Sequence, residues 1–400
     1  MRTAMGSLSG RRFDGYPARC REDMTAGCMA IEQLSQLRDA RRIVIKIGSA
    51  LLVERGQPRA DWLATLAEEI AELRKTSEVI VVSSGAIALG AARLGLAKGG
   101  RGSLADAQAS ASVGQVALAR LWADAFEPHQ ITAAQMLVTL GDLEDRRRYL
   151  NAAATLGRLL EMGVVPVVNE NDSVATEEIR FGDNDRLAAR VAQAAGAEAV
   201  VLLSDVDGLY DRDPREPGAV LVNRVDGVTP EIFAMAGDGS SSGLGSGGMK
   251  AKLQAARIAE RAGIALAIIN GTQERPLARA LGQGIGTLFV PQGTEGARKA
   301  WLSGRLSPAG VLTVDEGCVA ALKDGASLLA AGLTEVEGDF HRGDLVAIFG
   351  PRGERLGQGL VEYASSECRL ILGLREEGQA EKLGYAPRAA VVHRDHMVRE

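Results

Sequence analysis

Between residues 43 and 290 the chain alternates short, almost wholly apolar runs with longer stretches of helical periodicity, and few folds accept that pattern. The runs cover 43–47, 79–82, 164–168, 199–203, 264–269 and 287–290, each bounded by turn residues. Runs of this kind are expected of strands buried on both faces of a parallel sheet. Helices are predicted between them over 61–75, 104–125, 145–162 and 249–262; in the first, Trp62, Leu66, Ile70 and Leu73 recur at helical spacing. Strand–helix alternation predicts an α/β fold, a three-layer αβα sandwich with a mostly parallel sheet. Aromatic residues make up only 4% of the chain, so its core must be aliphatic and alanine-rich, which suits helix–sheet layers better than a β-sandwich.

The pattern changes near residue 300. Shorter strand-like runs at 311–314, 345–349, 359–361 and 370–372 are separated by glycine-rich turns, predicting a small, mostly β C-terminal domain over 306–390 after an α/β domain over 41–296. Four hundred residues are more than one core usually serves, which agrees with two domains. Residues 1–40 carry scattered arginines and glycines without a periodic apolar face. They read as a disordered tail or as an upstream start preceding Met24 or Met29, and are left out of the expected fold. The cysteines, Cys20, Cys28, Cys318 and Cys368, lack metal-ligand spacing and read as ordinary thiols of a reducing cytosol, predicting a cytoplasmic protein without a membrane span. A net charge of −5 offers no basic field for nucleic acid, so anions must be bound by loops and single lysines.

Ligands of open α/β sheets sit at the carboxyl ends of the strands, so the residues following each run carry the functional reading. Lys46 lies inside an apolar strand ahead of Gly48-Ser49. An anion meeting it, or an edge strand that lets it snorkel, would account for it. Ser83-Ser84-Gly85-Ala86 places small residues where a ligand can approach, although serine also caps helices. Asn169-Glu170-Asn171-Asp172 is better explained by a substrate loop than by a turn. Gly182-Asp183-Asn184-Asp185 opens an alanine-rich helix; one residue there is a cap, and the acids can orient lysines or meet Mg²⁺ and an ammonium group. Ser204-Asp205-Val206-Asp207-Gly208-Leu209-Tyr210, with Asp213-Pro214 beyond, reads as a lining for a nucleotide's base and ribose. The stretch 242–249 precedes a helix bearing Lys250 and Lys252 and reads as an anion loop or as a linker. Its GxGxxG match is weak: it follows no strand, and the next strand ends in Asn270 without the acid of a dinucleotide site. No GxxxxGK[ST] occurs.

In this order, IVIKIGS at 43–49, SSGAI at 83–87, NENDSV at 169–174, FGDND at 181–185, LSDVDGLY at 203–210 and GLGSGGM at 243–249 resemble the amino acid kinase superfamily. The nearest resemblance is to its glutamate 5-kinase branch, with a C-terminal PUA domain. The resemblance covers roughly 40–390 and implies transfer of the ATP γ-phosphoryl group to the side-chain carboxylate of L-glutamate, the first step of proline synthesis. It implies Lys46 and Lys252 flanking the phosphoryl group, with Asp185 orienting them. It also implies Ser84, Asp172 and Asn184 on glutamate, and Lys46, Ser204, Asp205 and the run Ser246, Gly247, Gly248, Met249, Lys250, Ala251 and Lys252 on ATP. Mg²⁺ would be carried mainly by ATP, and a homo-oligomer inhibited by proline is the family habit. Lys252 is preferred to Lys250 from its spacing to the glycines. Other kinases of the superfamily, acting on acetylglutamate, aspartate or UMP, are the alternative.

The chemistry agrees. A glutamate side chain titrates near pH 4.3, about three units below neutrality, so it is already a nucleophile and needs no general base. Of four histidines only His129 falls in the α/β domain, away from every candidate loop. The alternative of an RNA-binding regulatory protein meets a C-terminal hundred residues with 11 Lys+Arg against 15 Asp+Glu, a poor match to a phosphate backbone.

Overall fold

The structure is a computed structural model and describes residues 31–174, 183–236, 248–292 and 308–399. Its main sheet contains β1 (Arg42–Ile47), β2 (Glu78–Ser83), β3 (Ala133–Val138), β4 (Val165–Glu170), β5 (Ala199–Ser204), β6 (Arg224–Asp226), β7 (Ala265–Asn270) and β8 (Thr287–Val290). They lie in the order β3-β4-β2-β1-β5-β7-β8-β6. All neighbours pair in parallel except β7 with β8. β3 and β6 were not anticipated: β3 holds polar Gln135 and has a half-exposed pattern, and β6 is three residues long, so neither carries an apolar run.

Successive strand residues face opposite sides of a sheet, which divides β1 between two cores. Ile43, Ile45 and Ile47 join the layer formed with α1 (Ala60–Leu73) and α3 (Leu104–Phe126). Val44 joins the other layer, with α4 (Arg146–Glu161), α5 (Asp183–Ala195) and α6 (Met249–Arg261). Lys46, two residues on from Val44, therefore faces α5 and α6. Their contact is lined by alanines, Ala188, Ala189 and Ala192 on α5 and Ala255, Ala256 and Ala259 on α6, which lets the helices approach closely.

On the first layer, α2 (Ala86–Leu94) crosses α3 with backbone against backbone. A Cβ on Gly114 would land on the carbonyl oxygen of Ala86, and one on Gly90 on that of Ser110. Ala86 directly follows Ser84-Gly85, where Gly85 takes φ +116, so this close crossing sets the turn leaving β2.

The α/β domain includes residues ten positions before the expected 41. Ile31, Leu34, Leu37 and Ala40 are buried in the first layer, with Leu34–Asp39 forming a 3₁₀ turn. Their spacing of three is the 3₁₀ period, which a search for the α-helical 3.6 does not score.

The C-terminal sheet runs β10-β9-β11-β12-β13, from β9 (Gly310–Val314), β10 (Leu333–Gly338), β11 (Leu345–Phe349), β12 (Arg355–Val361) and β13 (Val392–Arg399). Two expectations change here. Residues 370–372 are not a strand: 370 and 371 close a helix, Ser365–Ile371, which buries Ser365, Cys368 and Ile371 at helical spacing while the Glu367 carboxylate accepts from the Ala364 N–H at 2.8 Å. The domain also runs past 390, because β13 pairs along β12. Leu345, Leu360 and Val398 join the α4–α6 core, and Arg342 reaches Asn151 on α4. Among the described residues, no helix is long and apolar enough to cross a membrane.

The α2–α3 crossing has no room for a methyl group. Gly114→Ala is expected to lower stability by about 2 kcal/mol, the usual range for overpacking. Denaturant unfolding checks this; an unchanged midpoint would mean the helices separate freely.

Candidate active site

Three buried charges meet where β1, α5 and α6 converge. Lys46 Nζ lies 2.5 Å from one oxygen of Asp185, and Lys252 Nζ lies 3.2 Å from the other. The Asp185 side chain is 0% exposed and the lysines are 8% and 9% exposed, so all three have given up nearly all their water. Burial alone would push the Asp185 carboxyl up, but the two ammonium groups prevail and hold it below the ordinary carboxylate range. Burial pulls the Lys46 ammonium below its usual range, and Asp185 only partly offsets this. Gly48 leaves space beside Lys46: a Cβ there would stand 3.6 Å from Nζ.

Loops from β2 and β4 lie on one side of β1. Ser83 is in register with Ile47, and the Ser84 N–H donates to the Ile47 carbonyl at 2.9 Å. Asn184 Nδ2 donates to Ser84 Oγ at 2.6 Å and to Asn169 Oδ1 at 3.2 Å, tying the starts of both loops to α5 one residue before Asp185. Asp172 is buried in the same loop and faces Arg101, whose guanidinium is lowered by burial against the pull of that carboxylate. These groups can hold a small polar molecule: hydroxyl and amides for oxygens, a carboxylate for an ammonium.

On the other side of β1, Leu203 pairs with Ile47, bringing Ser204 and Asp205 to the same crest. Ser204 is buried and its hydroxyl donates to Asp205 at 3.2 Å, while Asp205 is exposed. Gly248 precedes α6 without a side-chain cap, so Met249, Lys250 and Ala251 form an open first turn suited to an anion. Lys250 is exposed, whereas Lys252 turns inward to Asp185. Ser246 and Gly247, expected on the nucleotide, lie outside the described residues, as do Gly182 and the Asp183 side chain. His129 precedes β3, at the amino end of this edge strand and so away from the carboxyl ends that carry the site.

Sequence reading missed the supports behind these loops. Trp122 Nε1 on α3 donates to Ser83 Oγ at 2.9 Å in the core. Gln115, buried on the same helix, donates to the Glu170 carbonyl at 3.4 Å and accepts from Gln135 at 3.1 Å. The available signal was polar atoms on an otherwise apolar helix face, which names no partner. Among the described residues no three His, Cys, Asp or Glu side chains gather as a metal cage.

Comparison with known proteins places the chain by family. Residues 41–270 match the amino acid kinase family and residues 310–378 the PUA domain. The chain is 64% identical over 375 residues to a glutamate 5-kinase of Novosphingobium aromaticivorans, covering 92% of this chain and 100% of that one. It is 61% identical to a glutamate 5-kinase of Sphingopyxis alaskensis, covering 89% and 97%. Among solved structures, a carbamate kinase from Giardia lamblia bound to AMP-PNP superposes with a TM-score of 0.47 at 16% identity, covering 64% of this chain and 100% of that one.

Replacing Asp185 by Asn leaves two buried ammonium groups without a counter-charge, an expected loss of about 3–5 kcal/mol at neutral pH. The folded carboxyl titrates below its unfolded value of about 4, so its stabilisation is fully present above that value and is lost as pH falls through the folded one. The gap in unfolding free energy between wild type and Asp185→Asn should be flat between pH 7 and 5 and smaller at pH 3. A gap unchanged at pH 3 would contradict a depressed carboxyl.

Proposed function

The chain belongs to the amino acid kinase family and, within it, to the glutamate 5-kinases, and from that premise we propose how its residues share the work of the reaction. The enzyme transfers the γ-phosphoryl group of ATP to the γ-carboxylate of L-glutamate, the first step of proline biosynthesis. One observation carries the assignment of roles: a single buried Asp185 holds Lys46 and Lys252 together at the crest between two sets of loops.

Glutamate occupies the β2–β4 side. Ser84 and Asn184 hold its oxygens, with Asn169 fixing the Asn184 amide, and the Asp172 carboxylate takes the ammonium. ATP occupies the β5–β7 side, its phosphates on the first turn of α6, at Gly248, Met249, Lys250 and Ala251, continuing into Ser246 and Gly247. Ser204 and Asp205 hold the rest of the nucleotide. Mg²⁺ enters as part of the substrate, on the ATP phosphates.

A γ-carboxylate oxygen forms the new bond to the γ-phosphorus while the bond to the β,γ-bridging oxygen breaks, releasing ADP and leaving an acyl phosphate. No proton need move, because the acceptor is ionised at neutral pH. The catalytic need is therefore alignment and neutralisation of charge on the transferring oxygens. Lys46, from β1, and Lys252, from α6, supply that neutralisation from two directions, and Asp185 keeps both aimed. Inhibition by proline, homo-oligomeric assembly and a cytoplasmic location belong to the proposal and rest on the family resemblance. For the C-terminal module we propose a structural role, supported by its acidic balance and its apolar seat against the α4–α6 core.

The test is ATP consumption with a substrate panel, trapping acyl phosphate with hydroxylamine. Hydroxamate is expected with glutamate and not with aspartate or acetylglutamate; the reverse would overturn the acceptor assignment. Lys252→Ala and Lys46→Ala should each lower kcat about a hundredfold or more, the scale of losing a preorganised charge donor. Turnover at the wild-type level in either variant would remove that lysine from the mechanism.

A further inference from the structure

Asp207 lies in the segment read from the sequence as a nucleotide lining but has no role of its own in the proposed reaction, and it gathers three donors from three elements. One of its oxygens accepts from Asn270 Nδ2 at 3.1 Å and stands 3.5 Å from Arg279 Nη1; the other accepts from the Tyr210 hydroxyl at 3.4 Å. Asn270 ends β7 and lies in register beside Ser204. Its Oδ1 accepts from the Thr272 N–H at 2.9 Å and the Thr272 hydroxyl at 2.6 Å, so the amide is held at both ends and Asp207 fixes which way it faces. Arg279 sits on the helix Pro276–Gln283, and Tyr210 on the loop leaving β5. Burial, and then Asp207, push the Tyr210 hydroxyl above its ordinary range, which keeps it a donor.

These contacts do not fill the core. The Asp207 and Arg279 side chains are 29% and 31% exposed, and Asn270 and Tyr210 are half-buried. The carboxylate therefore acts at the rim, beside the strand ends assigned to the nucleotide. It adds a side-chain link between two loops that are joined at their roots by the Gly271 N–H donating to the Ser204 carbonyl at 2.8 Å: the one after β5 and the 271–275 segment after β7.

We propose that Asp207 is a positioning residue for the nucleotide, holding Tyr210 and the Asn270–Thr272 turn as the wall on which the base and ribose of ATP rest. The inference rests on the reading that seats ATP over Ser204 and Asp205. It assigns Asp207 no contact with the reacting atoms, so its removal should weaken nucleotide binding and spare both glutamate binding and the chemical step.

Asp207→Asn keeps the shape and removes the charge. The experiment measures ADP binding by calorimetry in the full chain, together with kcat and the KM for each substrate. The variant should bind ADP about tenfold more weakly and raise the KM for ATP by a similar factor, as expected when hydrogen bonds to a charged group are lost. Its KM for glutamate should stay within about twofold and its melting temperature within about 2 °C of wild type. Unchanged ADP affinity would overturn the proposal, and so would a parallel rise in both KM values with a fall in melting temperature, the mark of a general structural role. Should Asp207→Asn fail to fold, Tyr210→Phe removes only the hydroxyl that Asp207 receives. A threefold or so weakening of ADP binding would support the proposal, and none would overturn it. Wild-type protein that did not bind ADP at all would sink the ATP reading itself, whereas ADP binding indifferent to Asp207 sinks this inference alone.

Discussion

The structure turns on one carboxylate shared by two lysines. Three charges removed from water would each carry a penalty of several kcal/mol if isolated, and mutual attraction offsets that only where the geometry is close. Asp185 provides it, with one oxygen for each ammonium. The set retains a net positive charge of one, buried at the crest of the sheet. An apolar triad of the same volume would fold at least as well, so stability alone does not explain the arrangement. An arriving anion does, because a site already desolvated and already positive needs little reorganisation when negative charge enters it.

Topology places that charge. β1 lies between β2 and β5, and Lys46 stands next to last in it. Loops leaving β2 and β4 fall on one side, and those leaving β5 and β7 on the other, so the same lysine is open to groups arriving from opposite directions. Strand alternation turns Lys46 toward α5 and α6 and away from α1 and α3. The alanine-lined contact between α5 and α6 then allows Lys252 to reach the same aspartate. A bulky residue at Ala188 or Ala256 would part these helices and separate the lysines without touching either.

Much of this was legible in the sequence because the fold obliges it to be. Strands buried on both faces must be apolar, so a lysine inside one is conspicuous. Loops at strand ends that bind ligands are polar beyond what turns require, as at 169–172. The supports were not legible. Trp122 and Gln115 sit on a helix whose burial pattern explains both as core residues, and nothing local says that one donates to Ser83 and the other to the Glu170 carbonyl. Leu34 and Leu37 escaped notice because their period was three. Residues 370–372 looked like a strand because three apolar residues in a row, Leu370, Ile371 and Leu372, suit either state; the Glu367 cap upstream decides for helix.

The two sides of the proposed site are held by different physics. On the acceptor side a chain of neutral amides and hydroxyls runs from Asn169 through Asn184 to Ser84, beside the charged Asp172, braced by a helix crossing without side chains at Gly90 and Gly114. The neutral groups at fixed distances discriminate by shape and hydrogen-bond pattern and the carboxylate by charge, which suits a small zwitterionic acceptor. On the nucleotide side Asp207 draws in an arginine, an amide and a phenol at contacts of 3.1 to 3.5 Å, partly exposed to solvent. The charge on Asp207 makes up in strength for the length of these contacts, which keeps a partly solvated rim in shape. The buried triad between them belongs to neither side, and it alone must stay fixed while both ligands exchange.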